Sequence, residues 1–148
     1  MNLKGICCED SVLMRNLKLY FDGGNARGIA TWAVLVKENE KVIAKLTGLV
    51  DPVLPQTNNV AEWIALYMAV IYASAQLANV YRFEIFGDSE LVIKQITGEY
   101  VVSNTNLKPI YQKTMDVLLG LGLTHYITFR WIPREENTEV DALGRILR

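Results

Sequence analysis

The 148-residue chain is short of the groups that small proteins use as staples or ready nucleophiles. Its two cysteines, Cys7 and Cys8, are neighbours and cannot tie distant parts of a fold together. It has one histidine, His125, and no serine or cysteine set up for covalent catalysis. No apolar run has the length and purity of a membrane span, so no membrane partner is expected. Residues 1–15 lack a long apolar stretch followed by a small-residue cleavage site, so no signal peptide is expected, and a reducing cytoplasm is the expected location. An excess of one charge is also missing: 15 Lys and Arg face 16 Asp and Glu, a formal net charge of -1. That excludes a global basic field. A nucleic-acid partner would have to be held by local lysines and arginines or by metal ions.

Apolar residues are plentiful. At 51% of the chain they exclude disorder, and the length suits one domain with a real core. Residues 1–16 have no clear period and read as an N-terminal lead; residues 17–148 read as the folded domain. Leu19 and Phe21 alternate with Lys18, Tyr20 and Asp22, so Leu17 to Asp22 predicts a first strand, ending in an acid and the turn-forming pair Gly23-Gly24. Gly28 to Lys37 and Lys41 to Val50 predict strands two and three, and the short connections favour an antiparallel meander. After the proline-bearing loop at 51–56, Asn59 to Leu77 predicts a long helix with Val60, Ile64, Tyr67 and Ile71 on its apolar stripe. Arg82 to Phe86 predicts strand four, Ser89 to Ile96 and Thr105 to Leu121 two helices, Thr124 to Ile132 strand five, and Thr138 to Leu147 a last helix. The expected fold is α/β: a five-stranded mixed sheet of order 3-2-1-4-5, three strands antiparallel and two added parallel, with helices on both faces. Sites in such sheets lie at the carboxyl ends of the parallel strands.

Four acids fall at those ends. Asp22 closes strand one. Asp88 follows strand four. Glu62 stands three residues after Asn59, where an asparagine cap and an acid make a capping-box-like pair. Asp141 stands three residues after Thr138. Each acid alone reads as a cap or turn residue. Together they converge, and clustered carboxylates repel one another unless cations neutralise them. Hard oxygen ligands suit Mg²⁺ or Mn²⁺, and a pair of such ions can activate water for attack on phosphorus.

The motifs Asp22-Gly23-Gly24, Thr57-Asn58-Asn59 with Glu62, Gly87-Asp88-Ser89, and Trp131-Ile132-Pro133-Arg134-Glu135-Glu136-Asn137 leading to Asp141 occur in order. From about Asn16 onward the chain resembles type 1 ribonuclease H. That resemblance implies a nuclease that hydrolyses the RNA strand of RNA–DNA hybrids with two Mg²⁺ ions per site, or Mn²⁺ in their place; a monomer is expected. It implies that Asp22, Glu62, Asp88 and Asp141 are both the catalytic and the metal-binding acids, with Asp22 bridging the ions and Asp141 on the side of the attacking water. It also places Gly23, Gly24, Asn58, Asn59 and Glu90 near the ribose hydroxyls of the RNA strand. The rival readings are a non-catalytic hybrid- or RNA-binding module and another nuclease on the same fold, including one that cuts double-stranded RNA. A module that only binds has no reason to gather negative charge against a phosphate backbone.

Two departures stand out. Many members of that family carry a histidine in the loop before the last acid; here the loop has none, and His125 opens strand five instead. Some carry a basic, tryptophan-bearing insertion; here residues 98–109 have one lysine, Lys108, and no tryptophan. Arg27, Lys94, Lys108, Lys113 and Arg134 remain as candidate phosphate contacts. Trp32 and Trp131 are expected in core or half-buried places, and Trp63 lies beside Glu62.

Overall fold

The structure, a computed structural model, describes residues 15–80 and 82–148. The lead expected over residues 1–16, with Cys7 and Cys8, lies almost wholly outside the described residues. Among the described residues, β1 (Asn16–Ala26), β2 (Ile29–Glu38) and β3 (Lys41–Leu49) are followed by α1 (Asn58–Gln76), β4 (Arg82–Gly87), α2 (Glu90–Ile96), α3 (Lys108–Gly120), β5 (Ile127–Trp131) and α4 (Thr138–Arg145), with 3-10 turns at Leu123–His125 and Arg134–Glu136. The sheet order is β3-β2-β1-β4-β5, with β1–β2 and β2–β3 antiparallel and β1–β4 and β4–β5 parallel, as the sequence predicts.

The two faces of the sheet are covered differently. Leu17, Leu19 and Phe21 of β1 join Phe83 and Ile85 of β4 in the main core, under α1, α2 and α3. The other face holds a small cluster of Ala33, Leu35 and Val140, closed by Tyr20, Val42 and Leu143, under α4. Alternation along β1 assigns its residues to the two layers. On α1 the buried face is the one rich in alanine: Ala61, Ala65, Ala69 and Ala73 with Trp63, Leu66 and Val70. Ile64, Tyr67 and Ile71, expected to share the buried stripe with Val60, are only half buried. Small residues let the helix axis lie close to the strands, and the larger side chains flank the contact.

Among the strands, two boundaries differ from expectation by three residues or more, and the helix expected over Thr105 to Leu121 begins only at Lys108. β1 does not stop at Asp22: it runs through Gly23 and Gly24 to Ala26, because its ladder with β2 continues to the pair Ala26↔Ile29. The parallel ladder with β4 does stop, at Phe21↔Gly87. Asp22 is therefore the first residue of β1 beyond β4, held on one side only. β5 begins at Ile127 rather than Thr124, since Gly122 turns the chain with a left-handed φ of 63° and the Tyr126 N–H closes a 3-10 turn on the Leu123 carbonyl. His125 thus lies in that turn and is exposed, not in the strand. No helix among the described residues is long and apolar enough to cross a membrane.

Candidate active site

Four elements meet where β1 outruns β4. α1 begins with Thr57 as its cap: the Thr57 hydroxyl accepts the Val60 N–H at 3.2 Å. Asn59 is therefore not the cap, and Glu62 is not part of a capping box. The run Thr57-Asn58-Asn59 offers three good cap residues in a row, and the helix starts after the first. Glu62 then falls deeper in the helix, on its buried face, where its Oε2 has no hydrogen-bond partner among the described residues. α2 is capped by Ser89, whose hydroxyl accepts from the Val92 N–H, so Asp88 is not needed as a cap. α4 is held at its start by Asn137, 1% exposed, which donates from its carboxamide to the Phe21 carbonyl at 3.0 Å. That bond places the first turn of α4 beside Asp22.

One carboxylate oxygen from each of Asp22, Glu62 and Asp88 lies within 4.8 Å of the others. Asp141 borders this trio and turns to arginines: Arg145 Nε is 2.8 Å from its Oδ2, and Arg148 Nη2 is 3.7 Å from its Oδ1. The cleft is lined by these four acids together with Gly23, Gly24, Asn25, Asn58, Arg134, Arg145 and Arg148.

Crowding and burial set the protonation of the acids. Burial, then the charge of Asp88 and a hydrogen bond to Asp141, push the Asp22 carboxyl up to about 7. Glu62 is held well above the usual range by burial and by the charges of Asp22 and Asp88. Burial also raises Asp88, although the Arg134 guanidinium and the Asn137 carboxamide pull it back. Burial works upward on Asp141 too, but hydrogen bonds from Arg145 and Asp22 overcome it and leave it below the usual value. Carboxyls of Asp22, Glu62 and Asp88 raised by burial and by one another's charge, with an unpartnered buried oxygen among them, are a donor set that a hard divalent cation satisfies. The residues fit such an ion.

The other expected site residues divide. Gly23, Gly24 and Asn58 line the cleft; Asn59 and Glu90 do not. Asn59 is exposed on the first turn of α1. Glu90 is tied to Lys94 at 2.7 Å and flanks a separate ledge with Ile93, Lys94, Glu99 and Trp131. A Cβ on Gly24 would run into the Arg148 guanidinium, so that bare Cα is already covered from within the chain. Of the candidate phosphate contacts, Arg134 lines the cleft, whereas Lys108 and Lys113 stand on α3 and do not. Trp63 is fully buried and donates its indole N–H to Gln95 at 2.8 Å. Trp131 is more open than its neighbours suggest: it is 50% exposed, and its indole N–H donates to the Asp88 carbonyl at 3.1 Å. Asn25, Arg145 and Arg148 line the cleft in addition to the expected set. Arg145 has a legible signal, since it sits four residues after Asp141 on one helix face; Asn25 directly follows Asp22-Gly23-Gly24 on β1, and Arg148 meets them only through the tertiary fold.

A mixed sheet of this order, with acids gathered where the parallel strands end, defines a ribonuclease H-like domain. A family model described as reverse transcriptase-like matches residues 21–145. The chain belongs to this family and, within it, to the type 1 ribonuclease H group. It is 33% identical over 131 residues to a protein named ribonuclease HI from Halobacterium salinarum, a match covering 84% of this chain and 60% of that protein. The chain thus spans about three fifths of the length of that curated relative. Among solved structures, it is similar to RNase H1 from the same archaeon (TM-score 0.74, 26% identity, 88% of this chain and 95% of that one). It is also similar to LC11-RNase H1 solved in complex with an RNA/DNA hybrid (TM-score 0.76, 26% identity, 88% of this chain and 94% of that one).

Proposed function

We propose that the protein is a metal-dependent endonuclease that hydrolyses the RNA strand of RNA–DNA hybrids. The observation that carries this reading is the convergence of Asp22, Glu62 and Asp88, with the unpartnered Oε2 of Glu62 among them, in a chain of the type 1 ribonuclease H family. The similarity to LC11-RNase H1, which was solved with an RNA/DNA hybrid bound, supports the choice of substrate.

In this reading Asp22, Glu62, Asp88 and Asp141 hold two divalent ions, Mg²⁺ or Mn²⁺. Bound there, the ions supply an activated water and charge stabilisation at phosphorus. Such ions would take the place of the protons that burial and crowding favour on Asp22 and Glu62. Arg145 and Arg148 keep the Asp141 carboxylate ionised and oriented. Asn137 fixes the distance between α4 and β1. Asn58, at the rim of the cleft, is the side chain best placed to read a 2′-hydroxyl, and the Gly23 backbone lies beside the acids. Asn59 and Glu90 stand further from the acids and are weaker candidates for that contact. One chain supplies all four acids, so the acid set needs no second copy to complete it, and a monomer is the proposed state.

The test is cleavage of one labelled sequence as RNA–DNA hybrid, duplex RNA and duplex DNA, with Mg²⁺ and with Mn²⁺. Cutting confined to the RNA of the hybrid is the expected outcome. Equal cutting of duplex RNA would move the assignment to the rival nuclease reading.

A further inference from the structure

A second groove opens beside the acid cleft. It is lined by Asn25, Ala26, Arg27, Arg145 and Arg148, and three of these, Asn25, Arg145 and Arg148, belong to the cleft as well. Three guanidiniums share one groove in a chain whose formal net charge is -1. They come from distant parts of the sequence. Arg27 stands at the tip of the β1–β2 hairpin, where the tight turn holds it at a left-handed φ of 56°. Arg145 ends α4, and Arg148 follows it.

Much of the donor capacity of these arginines is unspent. A guanidinium offers five N–H donors in a rigid fork. Arg145, its side chain 70% exposed, commits Nε to Asp141. Arg148, its side chain 11% exposed, commits Nε to the Gly144 carbonyl at 3.3 Å; its Nη2 lies 3.7 Å from Asp141 Oδ1, too far for a hydrogen bond, and has no hydrogen-bond partner among the described residues. Arg27 is exposed and has no ion pair among the described residues. The buried Arg148 donor and the exposed guanidiniums of Arg27 and Arg145 face one groove, and a ligand rich in anionic oxygens satisfies them together. The acids next to it exclude any anion that lacks a reason to be there. A continuous strand has such a reason: one phosphate lies at the acids and its neighbours lie along the arginines.

We infer that the groove is a phosphodiester track, in which Arg27, Arg145 and Arg148 hold the backbone of the strand being cut, to one side of the scissile bond. The inference rests on the proposed function and adds where affinity comes from. The track does locally what a basic surface does elsewhere, which explains how a chain without net positive charge engages a polyanion.

Arg27→Gln is the clean variant, because Arg27 touches none of the acids, whereas Arg145 and Arg148 also hold Asp141. Hybrid binding is measured in EDTA across a range of salt, and turnover is measured with Mg²⁺. The track predicts affinity weakened about 3- to 10-fold, and a slope of log affinity against log salt shallower by about 0.9, the loss of one phosphate contact. It predicts KM raised to match with kcat unchanged. Lys45→Gln removes the same charge from the exposed side of β3 and should change neither quantity. The sharper reading uses hybrids whose RNA strand carries single neutral methylphosphonates at successive positions. Wild type should be penalised at one or two positions on one side of the cut, and Arg27→Gln should lose that penalty there. Unchanged affinity and slope in Arg27→Gln, or methylphosphonate penalties identical in the two proteins, would overturn the track. The binding arm needs no turnover, so it decides the track even if the hybrid is not cut, an outcome that would overturn the proposed function alone.

Discussion

The backbone amide of Glu62 occupies the space that a Cβ on Gly23 would need; the Ala61 carbonyl lies there as well. The residue after Asp22 must therefore be bare for α1 to bring Glu62 to Asp22. Gly23→Ala forces the helix off the strand, and neither partner is a flexible side chain that could move aside. The expected outcome is a loss of several kcal/mol in a denaturant melt, the range of overpacked sites. An alanine variant with wild-type stability and activity would show that the contact has slack.

Asp88→Asn separates chemistry from structure. Ser89 supplies the α2 cap, so the amide costs no cap. Removing one charge from the trio relieves repulsion. Turnover of hybrid should fall by orders of magnitude while the melting temperature holds or rises. Near-normal turnover by the folded variant would remove Asp88 from the chemistry.

The raised carboxyl of Asp22 fixes a pH dependence. Its folded pKa of about 7 lies above the unfolded value of about 3.9, so between those values the folded state binds more protons. The contribution is fully present below the unfolded value and is lost as pH rises through about 7; Glu62 shifts in the same direction. In EDTA the protein should be more stable at about pH 5.5 than at about pH 8. Mg²⁺ should recover stability at the higher pH, and Asp22→Asn should flatten the profile. A metal-free protein most stable at the higher pH would contradict the crowding of these acids.

The cap at Thr57 makes a three-way comparison. Thr57→Ala should cost about 1 kcal/mol of stability, and Asn59→Ala much less. Asn58→Ala should leave stability nearly unchanged but lower kcat/KM several-fold to tens of times. It should also blunt the penalty of a single deoxynucleotide at one position near the cut. Multiplying penalties at every position would show that Asn58 does not read the hydroxyl.

His125→Ala should leave turnover within a few-fold of wild type. His125 precedes β5, and the acids lie beyond the other ends of the parallel strands. A loss as deep as that of Asp88→Asn would mean that this end of the molecule takes part in the reaction.

Strand order and the meeting of the acids were legible because alternation, helix length and connection length each point to one topology. What escaped the sequence was competition among equivalent local signals. Thr57, Asn58 and Asn59 are all good caps, and only tertiary packing of α1 on β1 selects the first. Gly23-Gly24 reads as a turn by local rules, yet here close approach of the Ala61 and Glu62 backbone requires a bare Cα at Gly23 inside a continuous strand, and Gly24 gives the Arg148 guanidinium its place. Trp131 has apolar neighbours in sequence, but β5 is an edge strand, and the indole stays half exposed with a polar partner at Asp88. Arg148 could not be connected to Gly24 by any pattern, because their contact spans nearly the whole chain.

The Asn137–Phe21 hydrogen bond has a consequence for biosynthesis. It joins residues 116 positions apart, and on it hangs the placement of α4 beside β1. Closing so long a loop is slow and comes late, after the local hairpins and helices have formed. While the chain is still emerging from a ribosome, β1 through β4 can pair and pack with the cleft incomplete. The cleft of the nascent chain therefore lacks Asp141, Arg145 and Arg148 until α4 is free to dock.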